Sequence, residues 1–387
     1  MVRRSRVLTI IGSVLWMVGC SVGDEHASSQ GGHVSDPPDA GLDDTDNVVP
    51  SDTDVPVDDE DCIPRDEAPE MPSSASAYAE LCSEYLGVVP TVDCGDGVPI
   101  PIMVNGEEVF ESPNTCDHTD FKGNCFVGSR IGRLPGVTAE GETLPDVDWV
   151  YFCRSPGPQY FEYQIVSVQM IGHDRVTGAT CFFEARDGAQ WPYLELDEND
   201  LLDGELPGPQ DPEFDEVFQT PPSPCVECHQ TDPYIHNPWI DGARLPSDPS
   251  QPVLPEVLTT DSPYWVVAGA DWDHRTVHIE GNGCVACHPA PMATAELFER
   301  SGPIDVDALM PPNAPGTMTA DYEAMIACHL QGPDRVDGCE WVSPPTAYCD
   351  DPPLKSAPHA ASYPGHRTAH PVSMPVVVRE GDIDDEE

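Results

Sequence analysis

Two short repeats constrain this chain more than any other feature: Cys225-Val-Glu-Cys228-His229 and Cys284-Val-Ala-Cys287-His288. A Cys-x-x-Cys-His sequence puts two thiols on one face of a short turn, with an imidazole directly after them. At that spacing both thiols can add to the vinyl groups of a haem while the histidine reaches its iron. Zinc is the first rival, yet a site of four cysteines, or of two cysteines and two histidines, does not need a histidine immediately after each second cysteine. A redox dithiol is the second rival, and it belongs at a strand-to-helix junction in a βαβ setting that nothing here suggests. The expectation is two covalently bound haems c, held by Cys225, Cys228 and His229 and by Cys284, Cys287 and His288.

Haem c is attached outside the cytoplasm, and the start of the chain reads as an export signal. Arg3, Arg4 and Arg6 precede the apolar run VLTIIGSVLWMV, which is too short to span a bilayer. The run ends in MVGC, which resembles the lipobox of bacterial lipoproteins. That resemblance implies that Cys20 becomes the lipidated first residue of the mature protein; Met17 is a less usual residue at the first lipobox position. Ser21 after the cysteine implies the outer rather than the inner membrane of a Gram-negative envelope, with the protein facing the periplasm or the cell surface. The membrane would be reached only through the N-terminal lipid.

Acidic residues number 69 against 17 Lys and Arg, a formal charge of −52. Nucleic acid and anionic headgroups would be repelled. A basic redox partner would be favoured, with an association rate that falls with salt.

The chain divides by composition into residues 1–20 (signal), 21–72 (acidic linker), 73–206, 207–345 and 346–387 (tail). The linker is rich in Asp, Pro and Ser and shows no hydrophobic period, so it cannot offset its ordering entropy and is expected to be disordered. The tail carries His359, His366 and His370 in a solvated low-complexity context. Residues 73–206 alternate apolar and polar side chains in VPIPIMV, DWVYFC, FEYQIVSVQMI and ATCFFEA, which predicts a β-rich domain with a hairpin across GHDRVTG. A helix is predicted over ASAYAELCSEYLG, started by serines and stopped by Gly87. Cys82, Cys94, Cys116, Cys125, Cys153 and Cys181 in this domain have no metal-ligand spacing and are expected to form disulfides. Its acidic and histidine residues, His118 and His173 included, form no cluster at recognisable spacing. Residues 207–345 are rich in Pro and Gly and show no clear strand pattern.

Cysteine parity tests the haem reading. Of fifteen cysteines, setting aside Cys20 and the four of the two motifs leaves ten, which five disulfides would use. MIACHL, at Met325 to Leu330, looks like a third motif lacking its first cysteine. The period of TADYEAMIACHL is instead that of an amphipathic helix capped by Thr319, with Cys328 on its buried side and paired to Cys339 or Cys349.

CVACH followed by LMPPNAPGTMTADYEAMIACHLQG resembles the order of elements in bacterial c-type cytochromes: a haem motif, a Met-Pro-Pro loop and a closing helix. The match covers about Gly283 to Gly332. The resemblance implies a mainly α or irregular cytochrome c-like dihaem domain over 207–345, with Met310 opposite His288 on the second iron. The span from His288 to Met310 is shorter than a complete small cytochrome c fold uses. The sixth ligand of the first haem stays open. His236 follows the first motif too closely to reach around its own haem plane and suits the neighbouring haem better; His274 and His278 precede the second motif, and Met292 and Met318 are further thioethers. The function implied is electron transfer between redox partners without catalysis. The alternatives are a dihaem peroxidase, whose motifs stand much further apart than these, and a binding or scaffold protein whose haems are structural.

Overall fold

The computed structural model describes residues 62–120, 124–158, 161, 167–185, 192–219, 229, 231–234, 236, 238–256, 258, 262–270, 274–284, 289–291 and 319–349. Its centre is a six-stranded sheet. The first helix, α1 (Ala75–Leu86), begins at Ser74, whose hydroxyl accepts from the Ala77 amide at 3.2 Å. Ala75, Tyr78, Ala79, Cys82 and Leu86 are buried, a stripe at helical spacing. The helix stops at Gly87, whose φ of +71° and 2.3 Å approach of a would-be Cβ to the Val137 carbonyl admit no side chain.

The sheet uses β1 (Val98–Pro99), β4 (Arg130–Val137), β5 (Thr143–Arg154), β6 (Ser167–Asp174) and β7 (Ala179–Glu184), all antiparallel neighbours in that order. Between β1 and β4, the strands β2 (Ile102–Val104) and β3 (Glu107–Val109) form a hairpin of their own, as do β8 (Glu195–Leu196) and β9 (Leu202–Asp203) later. Both faces of the large sheet are covered. On one face Trp149, Tyr151, Met170 and Phe183 pack against α1 and against Phe214 and Val217 of α2 (Phe214–Val217). On the other, Ile131, Val150 and Phe152 meet Tyr234, Trp239, Ile240, Val253 and Leu254, while Phe182 meets Tyr264 and Val266.

The expected mainly α cytochrome c-like domain over 207–345 is not what the chain forms. Among its described residues that stretch contributes β10 (Arg244–Leu245), β11 (Asp248–Pro252), β12 (Trp265–Val266), β13 (Thr276–Ile279), β14 (Ala290–Pro291) and β15 (Cys339–Val342), against one long helix, α3 (Thr319–Gln331). β12 adds to the large sheet in parallel with β7. β13 is the centre of a three-stranded sheet, with β14 and β15 on either side. These strands are two to five residues long, too short for alternation to show, and β11 and β14 carry proline, which by itself argues against a strand.

Among the described residues five disulfides hold the fold: Cys62–Cys349, Cys82–Cys181, Cys94–Cys153, Cys116–Cys125 and Cys328–Cys339. The second fastens α1 to β7, and the last fastens α3 to β15. No helix among the described residues is long and apolar enough to cross a membrane.

Candidate functional site

Cys225 and Cys228 lie outside the described residues, but His229, which ends the first motif, lies on the outer face of the large sheet. Its ring packs on Phe182 of β7 with centroids 5.4 Å apart. The Tyr264 hydroxyl donates to the His229 carbonyl. Burial pushes the His229 pKa down to about 4, although the carbonyls of Asp232 and Pro233 act in the opposite direction. His229 is therefore a neutral imidazole, with Nδ1 3.3 Å from the Asp232 carbonyl. An imidazole that donates Nδ1–H to a carbonyl presents Nε2 as its lone pair, the form in which histidine binds a metal.

The segment after it is buried and polar. Asp232 is pushed up to about 7 by burial, despite the Tyr234 amide on Oδ1 at 2.9 Å and the charge of His236. Its Oδ2 and the Thr231 hydroxyl are buried without a hydrogen-bond partner. His236 places Nδ1 2.9 Å from Asp241 Oδ1. Burial alone would lower its pKa; the hydrogen bond and charge of Asp241, with Asp232 and the Pro255 carbonyl, outweigh burial and raise it.

The same face holds His173, in which the sequence shows no role. It stands on β6 opposite Thr180 of β7, with Nδ1 2.9 Å from the Thr180 hydroxyl. Its ring centroid is 6.2 Å from that of Tyr234 and 6.3 Å from that of Tyr264. Tyr264 in turn meets His274 edge-on at 5.6 Å. Tyr264 thus connects His173, His274 and the backbone of His229. Strand alternation puts His173 on the face of Ile171, opposite Met170; what covers that face is a long-range matter that no local pattern reveals.

The second motif starts in the connection between β13 and β14, whose ends are held together by the Val277–Ala290 pairing. Gly281 turns the chain at φ +76°. Asn282 then accepts from the Cys284 amide at 2.9 Å and donates to the Asp321 carbonyl of α3 at 2.9 Å. Cys284 is buried beside Val277, Met325, Cys328 and Cys339, and it is a free thiol. Burial, aided by the charge of Asp321, pushes its pKa up to about 11. A redox dithiol needs the opposite shift, toward thiolate. His278 is half-buried on β13 opposite Glu340 of β15, and β13 leads from His274 near the first motif to the second. Cys287, His288, Met310, Met292, Met318 and Cys20 lie outside the described residues.

Among the described residues no three His, Cys, Asp or Glu side chains converge as a metal cage. A haem iron asks less of a protein than a bare ion does, because the porphyrin supplies four nitrogens and the chain only the axial atoms. A buried His229 on an aromatic wall fits that demand, and Cys284 is a free thiol of the kind covalent attachment would use. No family model, no curated protein and no solved structure matches the chain, so the functional reading rests on these residues.

Proposed function

We propose that the chain is an exported, lipid-anchored electron carrier with two covalently bound haems c, one held by Cys225, Cys228 and His229 and one by Cys284, Cys287 and His288. The observation that carries this reading is the disulfide network. Among the described residues it takes ten cysteines, none of them from the two motifs. The one motif cysteine that is described, Cys284, is an unpaired buried thiol.

Haem c supplies a one-electron Fe(II)/Fe(III) couple. The chain's own residues do the rest. Cys225 and Cys228, and Cys284 and Cys287, would hold the haems through thioether bonds to their vinyl groups, an addition that needs no oxidant. His229 offers a neutral ring nitrogen, and its Nδ1 contact with the Asp232 carbonyl sets the ring orientation. Phe182, Tyr264 and Val266 exclude water from that side. His288 and Met310 are assigned to the second iron, and His278 and His236 to the neighbourhood between the motifs. The surface, at a formal charge of −52, steers a basic redox partner toward the protein. Cys20 and its lipid hold the chain at the outer membrane, facing the periplasm or the exterior.

The test is a spectroelectrochemical titration of the full chain produced where haem c is attached. Two reversible one-electron waves are expected, with electron exchange toward a basic carrier slowing as ionic strength rises. Haems that attach but do not cycle would overturn the electron-carrier reading.

A further inference from the structure

We propose that His173, on β6, is the second axial ligand of the haem seated at Cys225, Cys228 and His229. This deepens the haem reading above and rests on it.

The Thr180 hydroxyl stands 3.0 Å from the Gly178 carbonyl and 2.9 Å from His173 Nδ1. With its one hydrogen on the carbonyl, Thr180 accepts from Nδ1–H, and Nε2 carries the lone pair. That nitrogen is buried, with no hydrogen-bond partner, on a residue 3% exposed. A buried, unmatched acceptor is destabilising, and strand alternation would have allowed an apolar side chain there.

Position supplies the second argument. His173 and Phe182 are on the same face of paired strands, and Phe182 carries the ring of His229. Tyr264 packs against His173 while donating to the His229 carbonyl. The imidazoles of His173 and His229 thus share one aromatic wall. His236 differs, because its Nδ1 is paired with the Asp241 carboxylate at 2.9 Å. A histidine pair gives a lower potential than His/Met, so the first haem would be the low-potential centre and the second, with Met310, the high-potential one.

The test uses the full chain matured with haem. The oxidised wild type should show an electron paramagnetic resonance signal of a low-spin bis-histidine haem. His173→Ala should keep both haems by pyridine haemochrome, lose that signal by moving about half of the total haem to high spin, and regain it when imidazole is added. His173→Met, which keeps the bulk and a ligating atom, should stay low-spin with one of the two potentials raised. A low-spin signal unchanged in both variants would overturn the proposal, as would its loss in His274→Ala or His236→Ala instead. Absence of haem from the wild type would overturn the haem reading itself, and this proposal with it.

Discussion

Gly172 lies directly opposite Trp149 in the pairing of β5 with β6, and Gly132 opposite Tyr151 in the pairing of β4 with β5. A Cβ on Gly172 would stand 2.6 Å from the Trp149 indole, and one on Gly132 would stand 2.2 Å from the Tyr151 ring. Both rings are buried in the sheet face that α1 covers, so neither can move aside. Gly172→Ala and Gly132→Ala are each expected to cost about 1–3 kcal/mol through overpacking, read as a lower denaturant midpoint with an unchanged slope. The cysteines give a chemical test of the same kind. In haem-free protein Cys284 is neutral and buried, so it should react with a maleimide only after denaturation. Rapid labelling of the folded chain at that position would contradict the packing of Cys284 against α3.

The hairpin β2–β3 turns at Asn105 and Gly106, both in the left-handed region at φ 53° and 77°, the Asn-Gly signature of a two-residue turn. Both turn amides donate to the Asp117 carboxylate at 2.7 Å. Those bonds, first Gly106 and then Asn105, hold the Asp117 pKa below its ordinary 3.8. A depressed acid stabilises the turn above its unfolded value and loses that contribution as pH falls through the lower folded value. The Asp117 carboxyl is therefore expected to titrate below the exposed aspartates by nuclear magnetic resonance, with the Asn105 and Gly106 amide shifts following it. Asp117→Asn should flatten those shifts, and a normal titration would contradict the turn. Legibility in the sequence follows the same local logic. α1 could be read from its stripe and its capping serine, β6–β7 from alternation around a polar turn, and α3 from its period, although Thr319 is its first residue rather than its cap. The strands from β10 to β15 could not, because they are short, carry prolines and are fixed by distant partners such as β7. The two Cys-x-x-Cys-His motifs are legible because they are contiguous in sequence; the position of His173 beside His229 is not, because it depends on which segment covers a sheet face.

For the molecule as a whole, Cys62–Cys349 closes a loop with a sequence separation of 287. Beside it Ile63 and Tyr348 bridge in parallel, and the amides of Ile63 and Cys349 bond to Ala347 and Ile63 at 2.8 and 2.9 Å. The chain thus starts and finishes its described part at one point against the main core, where Tyr348 packs on Trp265. In the chain-entropy account a loop this long is worth about 5 kcal/mol. Cys62→Ser with Cys349→Ser is expected to lower the thermal midpoint by several degrees and to free both termini to proteolysis; an unchanged midpoint would show that the backbone bridge suffices. The assignment of the cysteines is what the functional account depends on, and intact-mass spectrometry of the denatured, unreduced chain from a haem-c-attaching host measures it directly. The expected mass is that of the processed chain plus two haems, with no cysteine open to alkylation. A haem-free mass with four alkylatable thiols would contradict the account and return both motifs to thiol chemistry.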